Sequence, residues 1–325
     1  MLKTLTLALA ALLPAAAAQA WEPQKPIEFV VTSGPGGGTD SFARAVQAII
    51  VKHKLVDRPI IVSNKGGGSG AEGFVYGKGA AGDPHKLVFG TNNEYLLPFV
   101  ANLPYAPEDL TPVAAMAMDQ FVLWVNGEAP YKSAAELLAA AKEKPLKFGG
   151  SQSKDVDQTL VTMVGEATGT RFTYIPFKSG NEAAVQLAGG HIAGNTNNPN
   201  ENRGQWQAGM VRPLCVFATQ RLPAGPKVFG DLGWADIPLC RDEGIPIDSY
   251  QMPRAVWLPG GVPAEATAFY TDLLRKVSET PEWQDYLAKS SQSGRFLTGE
   301  EWQAYIRAEQ DRVRAVYQKQ GWLAG

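Results

Sequence analysis

FVVTSGPGGGTDSFARAVQAII, residues 29–50, reads as a buried strand, a glycine-rich turn and an amphipathic helix in immediate succession. Gly34, Gly36, Gly37 and Gly38 make the turn, and the helix is expected to begin at Thr39 or Asp40. Glycine permits positive φ and lets backbone approach a ligand closely. The free N–H groups and the dipole of a helix start attract an anion. Such a cradle at the C-terminal end of a strand lies where open α/β sheets bind their ligands. A tight strand-to-helix turn without a ligand is the plainer reading of the same residues.

Two enzymatic readings of this loop fail. Counted from Gly34, the sixth position of a G-x-G-x-x-G dinucleotide fingerprint is Thr39, and no acid can be assigned about twenty residues on. No Gly-Lys-Ser or Gly-Lys-Thr follows any glycine run, and Gly77-Lys78 is followed by Gly79, so there is no P-loop.

The first twenty residues read as an export leader. Lys3 is the positive n-region, Leu5 to Leu13 the apolar core, and Ala18-Gln19-Ala20 a small-x-small cleavage site. The apolar stretch is short for a membrane span. No cysteine lies near the cleavage point, where a lipoprotein would need one; the chain has only Cys215 and Cys240. The mature chain is expected to start at Trp21, in the periplasm.

Composition narrows the class further. The chain has 325 residues, enough for two domains. Its 30 basic and 32 acidic residues give a net charge of −2, with no basic cluster to suggest nucleic acid. His53, His85 and His191 show no metal-binding spacing, so neither metal nor cofactor is expected. Two cysteines in an exported chain favour a disulfide, with two free buried thiols as the alternative.

Strands and helices alternate. Strands are expected at Ile27–Val31, Ile60–Ser63 and Leu87–Phe89, each leading through a glycine- or small-polar-rich loop into a helix, which indicates a parallel sheet. A second series has strands at Phe121–Val125, Leu146–Phe148, Phe172–Pro176, His191–Gly194 and Val211–Ala218. Ser133 with Glu136 reads as a capping box, and Gly149-Gly150-Ser151 as the opening of a helix with Ser151 at its N-cap. Residues 219–248 read as a long surface connection, and Arg254–Leu258 as an apolar strand returning to the first sheet. Helices follow at Ala264–Ser278, Trp283–Ser290 and Glu300–Gln320, the last with Thr298 and Glu301 as a capping box. The fold expected is α/β and two-lobed, with residues 21–120 plus 250–325 in one lobe, 121–249 in the other, and a ligand cleft between them.

Several segments, in consistent order over residues 25–320, resemble a known family. Pro35–Arg44 (PGGGTDSFAR) and Val62–Gly70 (VSNKGGGSG) resemble the solute receptors of tripartite tricarboxylate transporters, the Bug-type receptors. Ile175–Ile192 (IPFKSGNEAAVQLAGGHI) is similar to that family's Y-K-G…L-x-G-G segment. Ile237-Pro238 with Glu243-Gly244 is similar to its P-T-x-x-E-x-G turn, and Pro259–Pro263 to its A-P-A-G-T-P. The chain departs at Lys65-Gly66, where the family has Arg-Pro, at Leu239-Cys240 and Gly261, which replace threonines, and in its cysteine pair.

The resemblance implies a periplasmic class II-like binding protein, monomeric, that closes on a small carboxylate and delivers it to inner-membrane transporter subunits. It implies ligand contacts from Gly37, Gly38, Thr39 and Asp40, from Gly67, Gly68 and Ser69, and from Thr91 and Asn92. On the opposing lobe it implies Ser151, Gln152 and Ser153, then Lys178, Ser179 and Asn197. Some of these have plainer readings: Asp40 as an i,i+4 partner of Arg44, Lys178 as a solvated charge, Asn197 as a turn residue, and Ser151 as a helix cap alone. Tyr95 and Trp206 read as packing residues. A receptor that signals to a sensor kinase is the alternative role. A secreted hydrolase is a third, which lacks a G-x-S-x-G elbow here. Export with cleavage after Ala20 predicts that N-terminal sequencing of the periplasmic protein reads Trp-Glu-Pro; a chain still carrying Met1 refutes it.

Overall fold

The computed structural model describes residues 21–325, and the leader expected over residues 1–20 lies outside them. Among the described residues no helix is long and apolar enough to cross a membrane. Strand β1 (Ile27–Val31) is apolar on both faces, with Phe29, Val30 and Val31 fully buried, as a strand covered by helices on both sides must be. Helix α1 (Gly38–Lys52) follows and buries Phe42, Ala43, Val46, Ile49 and Ile50 on one stripe. Strand β2 (Ile60–Asn64), helix α2 (Ala71–Gly79), strand β3 (Lys86–Gly90) and helix α3 (Asn93–Val100) repeat the unit. As expected, β1 pairs in parallel with β2 on one side and β3 on the other.

Strand β4 (Leu110–Gln120) and strand β5 (Val122–Asn126) are separated by Phe121 alone, and there the chain passes from one sheet to the other. Helix α4 (Ala134–Glu143), strand β6 (Leu146–Ser151), helix α5 (Val156–Thr168), strand β7 (Phe172–Phe177), helix α6 (Gly180–Ala188), strand β8 (Gly194–Asn195), helix α7 (Pro199–Gln207) and strand β9 (Val211–Val216) build the second lobe. The chain returns with strand β10 (Gln251–Pro259) and ends in helices α8 (Ala264–Ser278) and α9 (Pro281–Ser290), strand β11 (Ser293–Thr298) and helix α10 (Gly299–Lys319). The first sheet runs β11-β4-β10-β3-β1-β2 and the second β7-β6-β8-β5-β9. Both are mixed: β10 is antiparallel to β3 and β4, and β5 is antiparallel to β8 and β9.

Several elements differ from the sequence expectation. Strand β4 (LTPVAAMAMDQ) carries no β-branched run because α8 and α10 lie across it and small side chains let them approach. Helix α7 (PNENRGQWQ) buries only Pro199, Asn202 and Trp206, a stripe with one clearly apolar member. Strand β11 is short and only Leu297 in it is buried. Strand β8 begins at Gly194, later than the expected His191. Helix α5 starts at Val156, capped by Asp155; Ser151 is the last residue of β6 and caps nothing. Ser133 does cap α4, its Oγ accepting from Glu136 N–H at 3.2 Å. Thr298 precedes α10 without a side-chain capping bond. Tyr95 and Trp206 are core residues, as expected.

Cys215 on β9 and Cys240 form a disulfide, both fully buried, which pins the long connection of residues 219–248 to the second sheet. Two polar bonds run beside it: Val216 N–H donates to Pro238 C=O at 2.8 Å and Ile245 N–H to Cys240 C=O at 3.0 Å. The cysteines are 25 residues apart, and on the chain-entropy model such a loop contributes about 3–4 kcal/mol. The Cys215→Ala/Cys240→Ala protein is therefore expected to lose about that much in urea unfolding, with a mass change on reduction and alkylation in the parent alone.

Candidate functional site

Between the two sheets lies a cleft of about 500 Å³. Its first wall is the β1–α1 turn. Gly36 sits at φ +78°, which only glycine adopts freely, and its N–H donates to Asp40 Oδ2 at 2.9 Å. The same carboxylate accepts from Arg44 Nε at 2.9 Å and from Asn64 Nδ2 at 2.9 Å. Burial raises the Asp40 pKa, but the bonds from Arg44, Gly36 and Asn64 outweigh it and hold the carboxyl below its usual range. Asp40 thus braces the turn and ties it to β2. The first N–H groups of α1, at Gly38 and Thr39, have no partner among the described residues, as helix geometry requires.

Arg254 of β10 comes up beneath this helix start. It is 7% exposed. Its Nη1 donates to Thr39 Oγ1 at 3.1 Å, and its Nη2 pairs with Asp119 of β4. A Cβ on Gly38 would lie 2.5 Å from Arg254 Nη2, so any larger residue here must push aside a guanidinium of the protein itself. Ser69, Thr91 and Asn93 continue the wall, with Asn93 Nδ2 donating to Ser69 C=O at 3.1 Å. Tyr286 and Gln292 close its end.

The second wall is acidic. Asp157 of α5 accepts through Oδ2 from Ser151 N–H at 2.6 Å and Ser151 Oγ–H at 2.7 Å. Gly150 leaves room for this: a Cβ there would lie 2.6 Å from Asp157 Cβ. Asp155 caps α5, accepting from Val156 N–H at 2.7 Å. Glu201 of α7 accepts from Asn198 N–H at 3.0 Å, and a Cβ on Gly180 would run into its carboxylate. Burial pushes Asp155 up to about 6. Burial and the charge of Asp155 raise Asp157, and burial and the charge of Asp157 raise Glu201.

A binding cleft between two α/β lobes, with a glycine-loop helix start on one wall, is the arrangement of a solute receptor. The family model of the tripartite tricarboxylate transporter family receptor matches residues 42–322. The chain belongs to that family. BugT of Bordetella pertussis is 28% identical over 227 residues, 66% of this chain and 68% of its own. A TctC solute-binding protein from Polaromonas, solved without ligand, has a TM-score of 0.73 at 26% identity, over 91% of this chain and 99% of its own. Rpa4515 of R. palustris, solved with adipate, shares the fold with a TM-score of 0.79 at 23% identity, over 92% of this chain and 98% of its own.

The receptor's cleft gathers nine of the fifteen residues singled out from sequence: Gly37, Gly38, Thr39, Ser69, Thr91, Ser151, Gln152, Lys178 and Ser179. The other six do not line it. Asp40 faces the turn, as above. Gly67 and Gly68 lie exposed in the β2–α2 loop, where Gly67 N–H donates to Glu72 Oε2 at 3.1 Å. Asn92 is buried behind the wall and donates to Glu309 Oε1 of α10 at 2.8 Å. Asn197 is buried too, donating to Gly180 C=O at 2.6 Å and Asn202 Oδ1 at 2.7 Å, which fixes the start of α6 against α7. Ser153 is exposed in an adjoining groove with Phe177 and Glu182. Ser179 lines the cleft and also caps α6 through Glu182 N–H at 3.3 Å. Sequence reasoning missed Arg254, Asp119, Asp155, Asp157, Glu201 and Gln292. The one signal available was Arg254 itself, a charge at the head of an otherwise apolar strand.

Raised carboxyls fix a pH dependence. Asp155, Asp157 and Glu201 hold their protons more tightly folded than unfolded. The folded state is thus the more protonated one above about pH 4, and stability falls as pH rises from there through neutrality. Carboxyls with lowered values, such as Glu28, Asp40 and Asp83, act in the opposite sense only below that window. The ligand-free receptor is expected to melt at a lower temperature at pH 7.5 than at pH 5.5. The Asp157→Asn/Glu201→Gln protein is expected to lose part of that slope, the rest belonging to the other buried carboxyls raised by burial, Glu94, Asp155 and Glu309; an unchanged slope assigns it wholly to those groups.

Proposed function

We propose that this receptor captures a small organic carboxylate in the periplasm and delivers it to the membrane subunits of a tripartite tricarboxylate-type transporter. Residues 21–120 with 250–325 close on residues 121–249, and the chain acts as a monomer. One observation carries the reading: the unpartnered N–H groups at Gly38 and Thr39 face a cleft in which Arg254 lies directly beneath them. A helix start favours a nearby anion by about 0.3–1 kcal/mol when exposed and up to about 2 kcal/mol when partly buried. Hydrogen bonds to a charged group add about 1.5–3 kcal/mol each. Two or three such contacts approach the roughly 8 kcal/mol of a micromolar complex. The adipate held by the R. palustris protein of the same fold is a ligand of this chemistry.

A thermal-shift screen of mono-, di-, tri- and aromatic carboxylates tests it. A ligand at a hundredfold excess over Kd raises the stability by about 2.7 kcal/mol, a shift of several degrees. The methyl ester of the best acid is expected to give no shift. Gly38→Ala is expected to weaken binding at least tenfold, because the added Cβ displaces the Arg254 guanidinium. Equal binding of acid and ester refutes the carboxylate site.

A further inference from the structure

We propose that the ligand of this receptor carries a protonated amine as well as a carboxylate, with the carboxylate on the α1 start and the ammonium on Asp157 and Glu201. The carboxylate half rests on the function proposed above; the amine half rests on the opposite wall. Four carboxyls line the cleft, Asp119, Asp155, Asp157 and Glu201, against two cations, Lys178 and Arg254. Arg254 is already paired with Asp119, and Lys178 is exposed at the rim. The far wall therefore faces the ligand with uncompensated acid.

Its hydrogen-bonding capacity has the same sign. Asp157 is 3% exposed and its Oδ2 takes both bonds from Ser151, while its Oδ1 accepts from no group among the described residues. Glu201 uses Oε2 on Asn198 and leaves Oε1 without a donor. At the end of the near wall Gln292 is 7% exposed, and its Oε1 also has no donor among the described residues. The near wall offers donors at Gly38 and Thr39; the far wall offers acceptors. A dianion spanning the cleft sets its second carboxylate against Asp157 and Glu201 and is tolerated only while both stay protonated, since like charges at low dielectric repel. An ammonium supplies three donors and the opposite charge. A metal ion is the other cation of this kind, but no three His, Cys, Asp or Glu side chains among the described residues are grouped to hold one. Burial raises both carboxyls and so favours their neutral forms in the empty cleft, and a bound ammonium would draw them into the ionised form.

Calorimetry at pH 7.5 with matched probes decides it: glutamate against glutarate, 4-aminobutyrate against butyrate, alanine against propionate, with the N-acetyl and methyl-ester forms of each amino acid. The expected result is that in the best-bound pair the amino member binds at least tenfold tighter and that N-acetylation removes the advantage. Asp157→Asn and Glu201→Gln, each checked for an intact ligand-free melt, are expected to cut the preference at least tenfold. Glu201→Gln keeps an oxygen for Asn198 N–H and so remains informative if Asp157→Asn unfolds. Des-amino acids that bind as tightly as their amino partners overturn the amine while leaving the carboxylate site standing. Amino esters that bind as tightly as the free amino acids overturn the carboxylate site and leave the amine. No binding by any probe overturns both.

Discussion

The ion pair between Arg254 and Asp119 joins the framework to the cleft. The two residues lie on neighbouring antiparallel strands of the first sheet, where Met252 is the register partner of Asp119. Both are almost fully buried. Breaking a buried pair by removing one partner costs about 3–5 kcal/mol, because the remaining charge is stranded. Here the guanidinium also reaches Thr39, so the pair links β4 and β10 to the first turn of α1. A positive group beneath a positive helix end is tolerable only with a counter-charge. Asp119 supplies it permanently, and an anionic ligand at the helix start adds a second.

The glycine loop accordingly has two functions that are separable by residue. Gly36 adopts a positive φ so that the chain turns, with Asp40 as the peg that holds it. Gly38 has ordinary φ and is small for another reason, the guanidinium packed against it. A run of glycines looks uniform in sequence, yet its members answer to conformation in one case and to contact in the other.

This distinction marks the limit of what was legible. The strand–turn–helix at residues 27–52, the returning strand at 251–259 and the long C-terminal helices were plain, because apolar periodicity and glycine spacing are local signals. Strand β4 was not, since its alanines and methionines answer to helices packed from elsewhere in the chain. Helix α7 was hidden by a buried face built from proline, asparagine and tryptophan. Ser151 looked like a cap beside Gly149 and Gly150, but Gln152 and Lys154 take positive φ and delay the helix to Val156. The acids of the far wall come from two helices some forty residues apart, and no spacing rule joins Asp157 to Glu201. Family resemblance located the walls of the cleft; it did not give their charge.

Phe121 is the sole residue between β4 and β5, and the other passage between the sheets runs through residues 217–250. A third link is non-covalent: at the end of α10, Lys319 and the following Gln320 both reach Glu166 on α5, and Lys154 Nζ donates to Trp322 C=O at 3.4 Å. Each of these contacts is partly solvated and individually weak. Any rotation about the two covalent passages must stretch or slacken this tether. On the closure proposed above, the tail would act as a spring on the resting aperture and bias how often the empty receptor presents a competent cleft. Apparent affinity scales with the competent fraction, so on that closure residues 319–323, which lie outside the cleft lining, would set part of the concentration range over which a solute is captured.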